Sequence, residues 1–157
     1  MGEIKDLLEN MIVEENTIQF SIFTNKTAWQ LGTKLQETAS RENKSITIDI
    51  CRNGQQLFHY ALPGTSADND EWIIRKNRVV NRFGHSSYYM ENYYQSLETT
   101  ITEKSLLEER DYAPRGGSFP IIIKDVGVVG TITVSGLPQK EDHEFVVRVL
   151  KDFLEIN

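Results

Sequence analysis

The stretch Ser45-Ile-Thr-Ile-Asp-Ile-Cys-Arg-Asn-Gly-Gln-Gln-Leu-Phe-His-Tyr-Ala-Leu62 decides the fold. Ile46, Ile48 and Ile50 recur at every second position, which places three β-branched side chains on one face of an extended strand. Asn53-Gly54 supplies the positive φ angles of a tight reversal, so Ser45–Arg52 and Gln56–Leu62 are expected to pair as an antiparallel hairpin. The flanking segments then have to cover its apolar face.

Upstream, Ala28, Leu31, Gly32, Leu35 and Ala39 fall on one helical stripe, capped by Thr24 or Asn25 and ending near Asn43. Before it, Ile18, Phe20 and Ile22 alternate with Gln19 and Ser21, the pattern of a half-buried strand, and Ile4, Leu7, Leu8, Met11 and Ile12 mark a short amphipathic helix. Downstream, Asp68 and Glu71 have capping-box spacing ahead of a helix that runs to about Phe83 and stops at Gly84. Ser86 or Ser87 caps an aromatic-rich helix through Tyr88, Tyr89, Tyr93, Tyr94 and Leu97, and Glu103–Asp111 adds a further turn or two. Ala113–Pro120 is a Pro- and Gly-punctuated loop, Phe119–Lys124 and Val128–Ser135 form a second hairpin, and a terminal helix from near Lys140 turns Phe145, Val146, Val149, Leu150 and Phe153 inward. This order predicts an α/β (α+β) fold: a five-stranded, mostly antiparallel sheet with helices on its faces, in a single domain over residues 1–157.

Composition narrows the function. Of 157 residues, 23 are acidic and 17 basic, and a net charge of −6 argues against a nucleic-acid or anionic-membrane partner. The lone Cys51 allows no disulfide framework and no thiolate metal cluster, which suits a reducing compartment. The N-terminal residues lack a secretory pattern and the Ser or Thr of a myristoylation signal, so the expectation is cytoplasmic. His59, His85 and His143 lack metal-ligand spacing, and no protein-built metal site is expected.

The third predicted helix holds the most informative conflict. Asn69 and Lys76 share an apolar stripe with Trp72, Ile73, Val80 and Phe83, where an unpaired ammonium costs several kcal/mol in order of magnitude. Lys76 therefore either snorkels past Trp72, meets a structural carboxylate, or binds an anion. Arg75, Arg78 and Arg82 occupy the opposite face, as a solvated or subunit-facing stripe or a phosphate site. Gly116-Gly117-Ser118 either presents successive backbone N–H groups to an anion or is a flexible entry to a strand, without the spacing of a Walker or dinucleotide motif. His85, just ahead of a helix, is the better-placed single axial ligand. Ser86, His143 and Asp142 assemble a triad on paper, but no nucleophile-elbow motif accompanies them.

Taken in order, Ile46–Ile50, Gly54–Phe58, Gly64-Thr65, Asp68-Asn69, Trp72-Ile73, Arg75-Lys76, Val79-Val80, Ser86-Ser87-Tyr88, Gly116–Ile121, Gly127–Gly130, Val134–Leu137 and Asp142-His143 resemble the haem-degrading-domain superfamily. The pattern is similar to the bacterial and fungal branch of that superfamily, whose cousins are GlcG, HbpS and the PduO C-terminal domain. The resemblance spans roughly residues 25–155. It implies a profilin-like sandwich, closed homo-oligomers and a tetrapyrrole pocket.

The leading expectation is a cytoplasmic, homo-oligomeric domain that binds haem, another tetrapyrrole or another anionic small molecule between the Asn69–Lys76 helix and the Gly116–Pro120 loop. Asn69, Trp72, Lys76, Phe83, His85, Ser86, Gly116, Gly117 and His143 are its ligand-binding candidates. One alternative is a small-molecule-converting enzyme using Lys76 with Ser86 or His143. Another is an assembly protein without a small ligand, its arginines pairing with acidic neighbours.

Overall fold

The computed structural model describes residues 2–157 as α1 (Gly2–Thr17), α2 (Asn25–Arg41), β1 (Thr47–Arg52), β2 (Gln55–Ala61), α3 (Ala67–Phe83), α4 (Ser87–Ser96), α5 (Ile101–Ser105), β3 (Ser118–Ile123), β4 (Gly127–Ser135) and α6 (Gln139–Phe153). Both expected hairpins form, and β1 pairs with β4 between them, so the antiparallel sheet has the order β2-β1-β4-β3. Among the described residues no helix is long and apolar enough to cross a membrane.

The sheet has four strands rather than the five predicted. Only Phe20 of the Ile18–Ile22 segment pairs, donating its N–H to Ile122 O at 2.8 Å and accepting the Lys124 N–H at 2.9 Å along the outer edge of β3. The two-residue period breaks there. Phe23, not Ile22, turns inward to meet Phe20 edge-on at 4.9 Å, and Ile22 is left exposed. Three smaller expectations also change. The first helix is 16 residues long rather than short. The Glu103–Asp111 turn is instead the five-residue α5, capped by Thr100 and ended by Leu106 at φ 60°. At the start of α3, Asn69 Oδ1 accepts the Ser66 N–H at 3.0 Å in place of the expected Asp68–Glu71 box.

Strand alternation then splits the sheet into unlike faces. Ile48, Ile50, Phe119, Ile121, Ile132 and Val134 point to one side, where α2 and α6 cover them with Leu31, Leu35, Phe145, Val146 and Leu150. Each such side chain contributes about 1.5–3 kcal/mol when fully buried. The other face carries Thr47, Asp49, Ser118, Thr131, Thr133 and Ser135. An antiparallel sheet commonly leaves its polar face to water. Here α3 lies across it and those residues are buried.

Candidate functional site

Burying a polar sheet face requires partners for it. Helix α3 supplies them for Asp49, Ser118, Thr133 and Ser135, whereas the Thr47 and Thr131 hydroxyls are buried without a partner among the described residues. Asn77 is the central node: its Oδ1 accepts from Ser118 Oγ at 3.2 Å and from Thr133 Oγ1, and its Nδ2 donates to Asp49 Oδ2 at 3.2 Å. Asp49 also accepts from Gln56 Nε2 at 2.7 Å and lies 3.0 Å from His59 Nδ1, whose Nε2 reaches Asp70 at 3.0 Å. The Cys51 thiol donates to Asp49 at 3.1 Å and is pushed up to about 12 by burial and then by that carboxylate, so it stays protonated and inert. Asn69 donates to Ser135 Oγ at 3.2 Å.

Lys76 enters the same layer only 1% exposed. Its ammonium donates to Val134 O and to Asp142 Oδ2, both at 3.2 Å, and the other Asp142 oxygen accepts the Leu137 N–H at 3.0 Å. Burial lowers the lysine's pKa and pushes the Asp142 carboxyl up to about 6, in each case against the pull of the partner's charge. Gly117, at φ +139°, presses on this pair: a Cβ there would stand 2.5 Å from Lys76 Nζ and 2.6 Å from Val134 O. The Gly116 N–H donates to Glu91 Oε1 at 3.0 Å. The gap expected between α3 and the Gly116–Pro120 loop is therefore occupied by the chain's own carboxylates. Lys76 meets Asp142, one of the three alternatives open to it.

Phe83 and His85 face a different space. With Tyr89, Met90, Tyr93, Tyr94, Lys104 and Ser105 they line a cleft of about 420 Å³ at the end of α3. His85 Nδ1 lies 2.7 Å from Glu15 Oε1, and Glu15 Oε2 accepts the Ser86 N–H at 3.1 Å. A carboxylate can only accept, so neutral His85 carries its proton on Nδ1. Nε2 makes no hydrogen bond among the described residues. The Glu15 hydrogen bond raises the His85 pKa above the usual imidazole value, against desolvation. Tyr89 stacks on His85 at 4.4 Å, Tyr93 on Tyr89 at 6.2 Å, and Phe83 meets Tyr94 edge-on.

The remaining candidates are apart from both. Ser86 Oγ accepts the Tyr89 N–H at 3.0 Å, capping α4. His143, packed against Tyr88 and Phe119, has Nε2 3.1 Å from Glu14 Oε1, while its Nδ1 is buried without a partner among the described residues. Ser86, His143 and Asp142 thus hydrogen-bond elsewhere rather than to one another. Trp72 lies beneath the Arg75 guanidinium at 4.3 Å. Among the described residues no group of three His, Cys, Asp or Glu side chains could hold a metal ion. Two key residues escaped the sequence analysis. Glu15 falls four residues after Met11, a buried acid on the continuation of the Ile4–Met11 stripe, a signal that was present, whereas nothing in the helix period distinguishes Asn77.

Residues 23–151 match the family model described as haem degrading protein HbpS-like. A UPF0303 protein of Streptomyces coelicolor is 50% identical over 141 residues, covering 90% of this chain and 89% of that protein. The crystal structure of Ybr137w protein superposes with a TM-score of 0.88 at 35% identity, covering 94% of this chain and 87% of that one. The PduOC:heme complex superposes at 0.69 with 14% identity over 86% and 96% of the two chains, a likeness of fold alone. Helix α1, which brings Glu15 to His85, precedes the matched range.

Proposed function

The chain belongs to the HbpS-like family of haem-degrading proteins, and from that membership we propose that it binds haem or another tetrapyrrole in the aromatic cleft, with His85 as axial ligand. The observation that carries this proposal is the Glu15–His85 contact at 2.7 Å, which fixes the ring and leaves Nε2 as its lone-pair nitrogen at an aromatic wall. The donor set fits: one imidazole, flat apolar surfaces from Phe83, Tyr89 and Tyr93, and the Lys104 cation for the macrocycle's carboxylates. Haem, when bound, supplies a redox-active iron. Buried Lys76 does not take part, because a ligand would have to displace Asp142 to reach it.

Titrating haemin is expected to shift its Soret band, and His85→Ala to weaken binding by about 10- to 100-fold. Only neutral imidazole can ligate, so affinity should rise with pH through a His85 titration lying above the ordinary value. A Soret band that stays put, or shifts equally in the variant, sinks the proposal.

We further propose a profilin-like sandwich that assembles as a homo-oligomer in the cytoplasm through β2. That strand lies at the sheet edge and reads Gln55-Gln-Leu-Phe-His-Tyr-Ala61, without the lysine, proline or acid that normally guards an edge. Tyr60 on this strand is 44% exposed, and Trp29 of α2, which meets the strand's Phe58 edge-on, is 64% exposed. Two copies pairing β2 antiparallel would make a self-complementary interface. Light scattering should find the parent as a multimer and Tyr60→Lys as a monomer; a monomeric parent, or an unaffected variant, contradicts this.

A further inference from the structure

We propose that a groove between α3 and the Tyr112–Arg115 segment, on the side of α3 that carries Trp72, is a binding site for a phosphoryl dianion. Trp72, Arg75, Glu109, Tyr112 and Arg115 line a hollow of about 150 Å³, which suits a phosphoryl group rather than a whole nucleotide. Arg75 and Arg115 are half-buried, yet among the described residues neither forms an ion pair with an acidic side chain. Arg148 grips Glu42 with two nitrogens at 2.7 and 2.9 Å, Arg78 and Arg110 turn to Asp111, and Arg52 donates to Phe23 O and Asn25. Arg41 and Arg82 also lack a carboxylate among the described residues but are exposed, where water solvates them. Glu109 lines the same hollow without pairing to either cation. Against Glu109 the two guanidiniums leave the hollow a net charge of +1. The Arg115 charge also pulls on the Glu91 carboxyl, but that carboxylate accepts the Gly116 N–H and forms no ion pair with Arg115 among the described residues. Both forks therefore keep unpaired donors that match the oxygens of a phosphoryl group.

The two cations are also held in place before any ligand arrives. Arg75 Nε donates to Glu71 O at 3.3 Å and its guanidinium lies over the Trp72 ring, while Arg115 Nη1 donates to Pro114 O at 2.8 Å. The Ala113 N–H donates to Arg75 O at 3.1 Å, tying the segment that carries Arg115 to the helix that carries Arg75. The remaining donors of each fork are left for oxygen acceptors, and preorganisation reduces the entropy lost on binding. Trp72 and Tyr112 beside them provide flat surface for an organic substituent. No residue is shared with the aromatic cleft, so this site stands or falls apart from tetrapyrrole binding.

The test uses inorganic phosphate and phenyl phosphate, followed by calorimetry and by Trp72 fluorescence in a Trp29→Phe background. Saturable binding of phosphate that chloride does not displace is expected. Arg75→Gln and Arg115→Gln should each weaken it at least about tenfold, the loss of one charge-assisted fork. Arg78→Gln, exposed on the same helix but outside the hollow, should leave it unchanged. Tighter binding of phenyl phosphate assigns the site to a phosphate monoester, and equal binding assigns it to the free anion. The proposal is overturned by the absence of saturable binding, by binding that survives Arg115→Gln in folded protein, or by an equal loss in Arg78→Gln.

Discussion

Lys76→Ala is expected to cost about 3–5 kcal/mol of stability at neutral pH, because it leaves Asp142 buried as an uncompensated charge. The cost should be pH-dependent in a diagnostic direction. Even with the lysine beside it, burial raises Asp142 to about 6. A folded-state pKa raised above the unfolded value means that the folded protein takes up the proton first, so this group's stability contribution is full below the unfolded carboxylate pKa and lost as pH rises through the folded one. Without the ammonium the rise can only grow. The variant's deficit should therefore shrink as pH falls from 7 toward 4, where the carboxyl is neutral and its burial is cheap. Adding Asp142→Leu should recover part of the loss by removing the stranded charge, though Leu137 N–H then loses its acceptor. Urea unfolding of the parent and both variants at pH 7 and pH 5 measures this. A loss in Lys76→Ala that does not change with pH would show that the pair is not electrostatically coupled.

The features legible in the sequence were those that neighbouring residues specify. The alternation of Ile46, Ile48 and Ile50, the Asn53-Gly54 reversal and the stripe of Ala28, Leu31 and Leu35 each encode an element within one or two turns of chain, and each formed. Ile18–Ile22 shows where the same signal misleads. Its alternation fitted a strand, but strand status requires a paired neighbour, and only Phe20 finds one before the chain turns inward at Phe23. Lys76 stood out because its type conflicts with its stripe, and it is indeed buried. Its partner Asp142 lay beyond local inference, brought from the start of α6 only by the fold. The same holds for Glu15 on His85: each end of the contact has a local explanation, and only the packing of α1 against α4 joins them.

Gly117→Ala should destabilise the protein by about 3 kcal/mol or more, combining a strained backbone with a collision that cannot relax. At φ +139° an L side chain is disfavoured before any contact is considered, and the new methyl would press on Val134 O, a backbone atom of the inner strand β4. Gly84→Ala isolates the backbone contribution. It too has positive φ, 73°, but nothing lies within 4 Å of its would-be Cβ, so it should cost only about 1–2 kcal/mol. Gly117→Ala should accordingly lower the melting temperature by roughly 6–12 °C for a chain of this size, clearly more than Gly84→Ala does. The second atom in the way, Lys76 Nζ, makes the effect conditional on the ion pair. In a Lys76→Met background one of the two obstacles is gone, so Gly117→Ala should cost less there than in the parent, a non-additivity expected only of residues in direct contact. Equal costs in the two backgrounds would mean that the Gly-Gly turn serves the entry to β3 alone. A reduced cost would mean that the loop glycine is required because a lysine is buried beneath it.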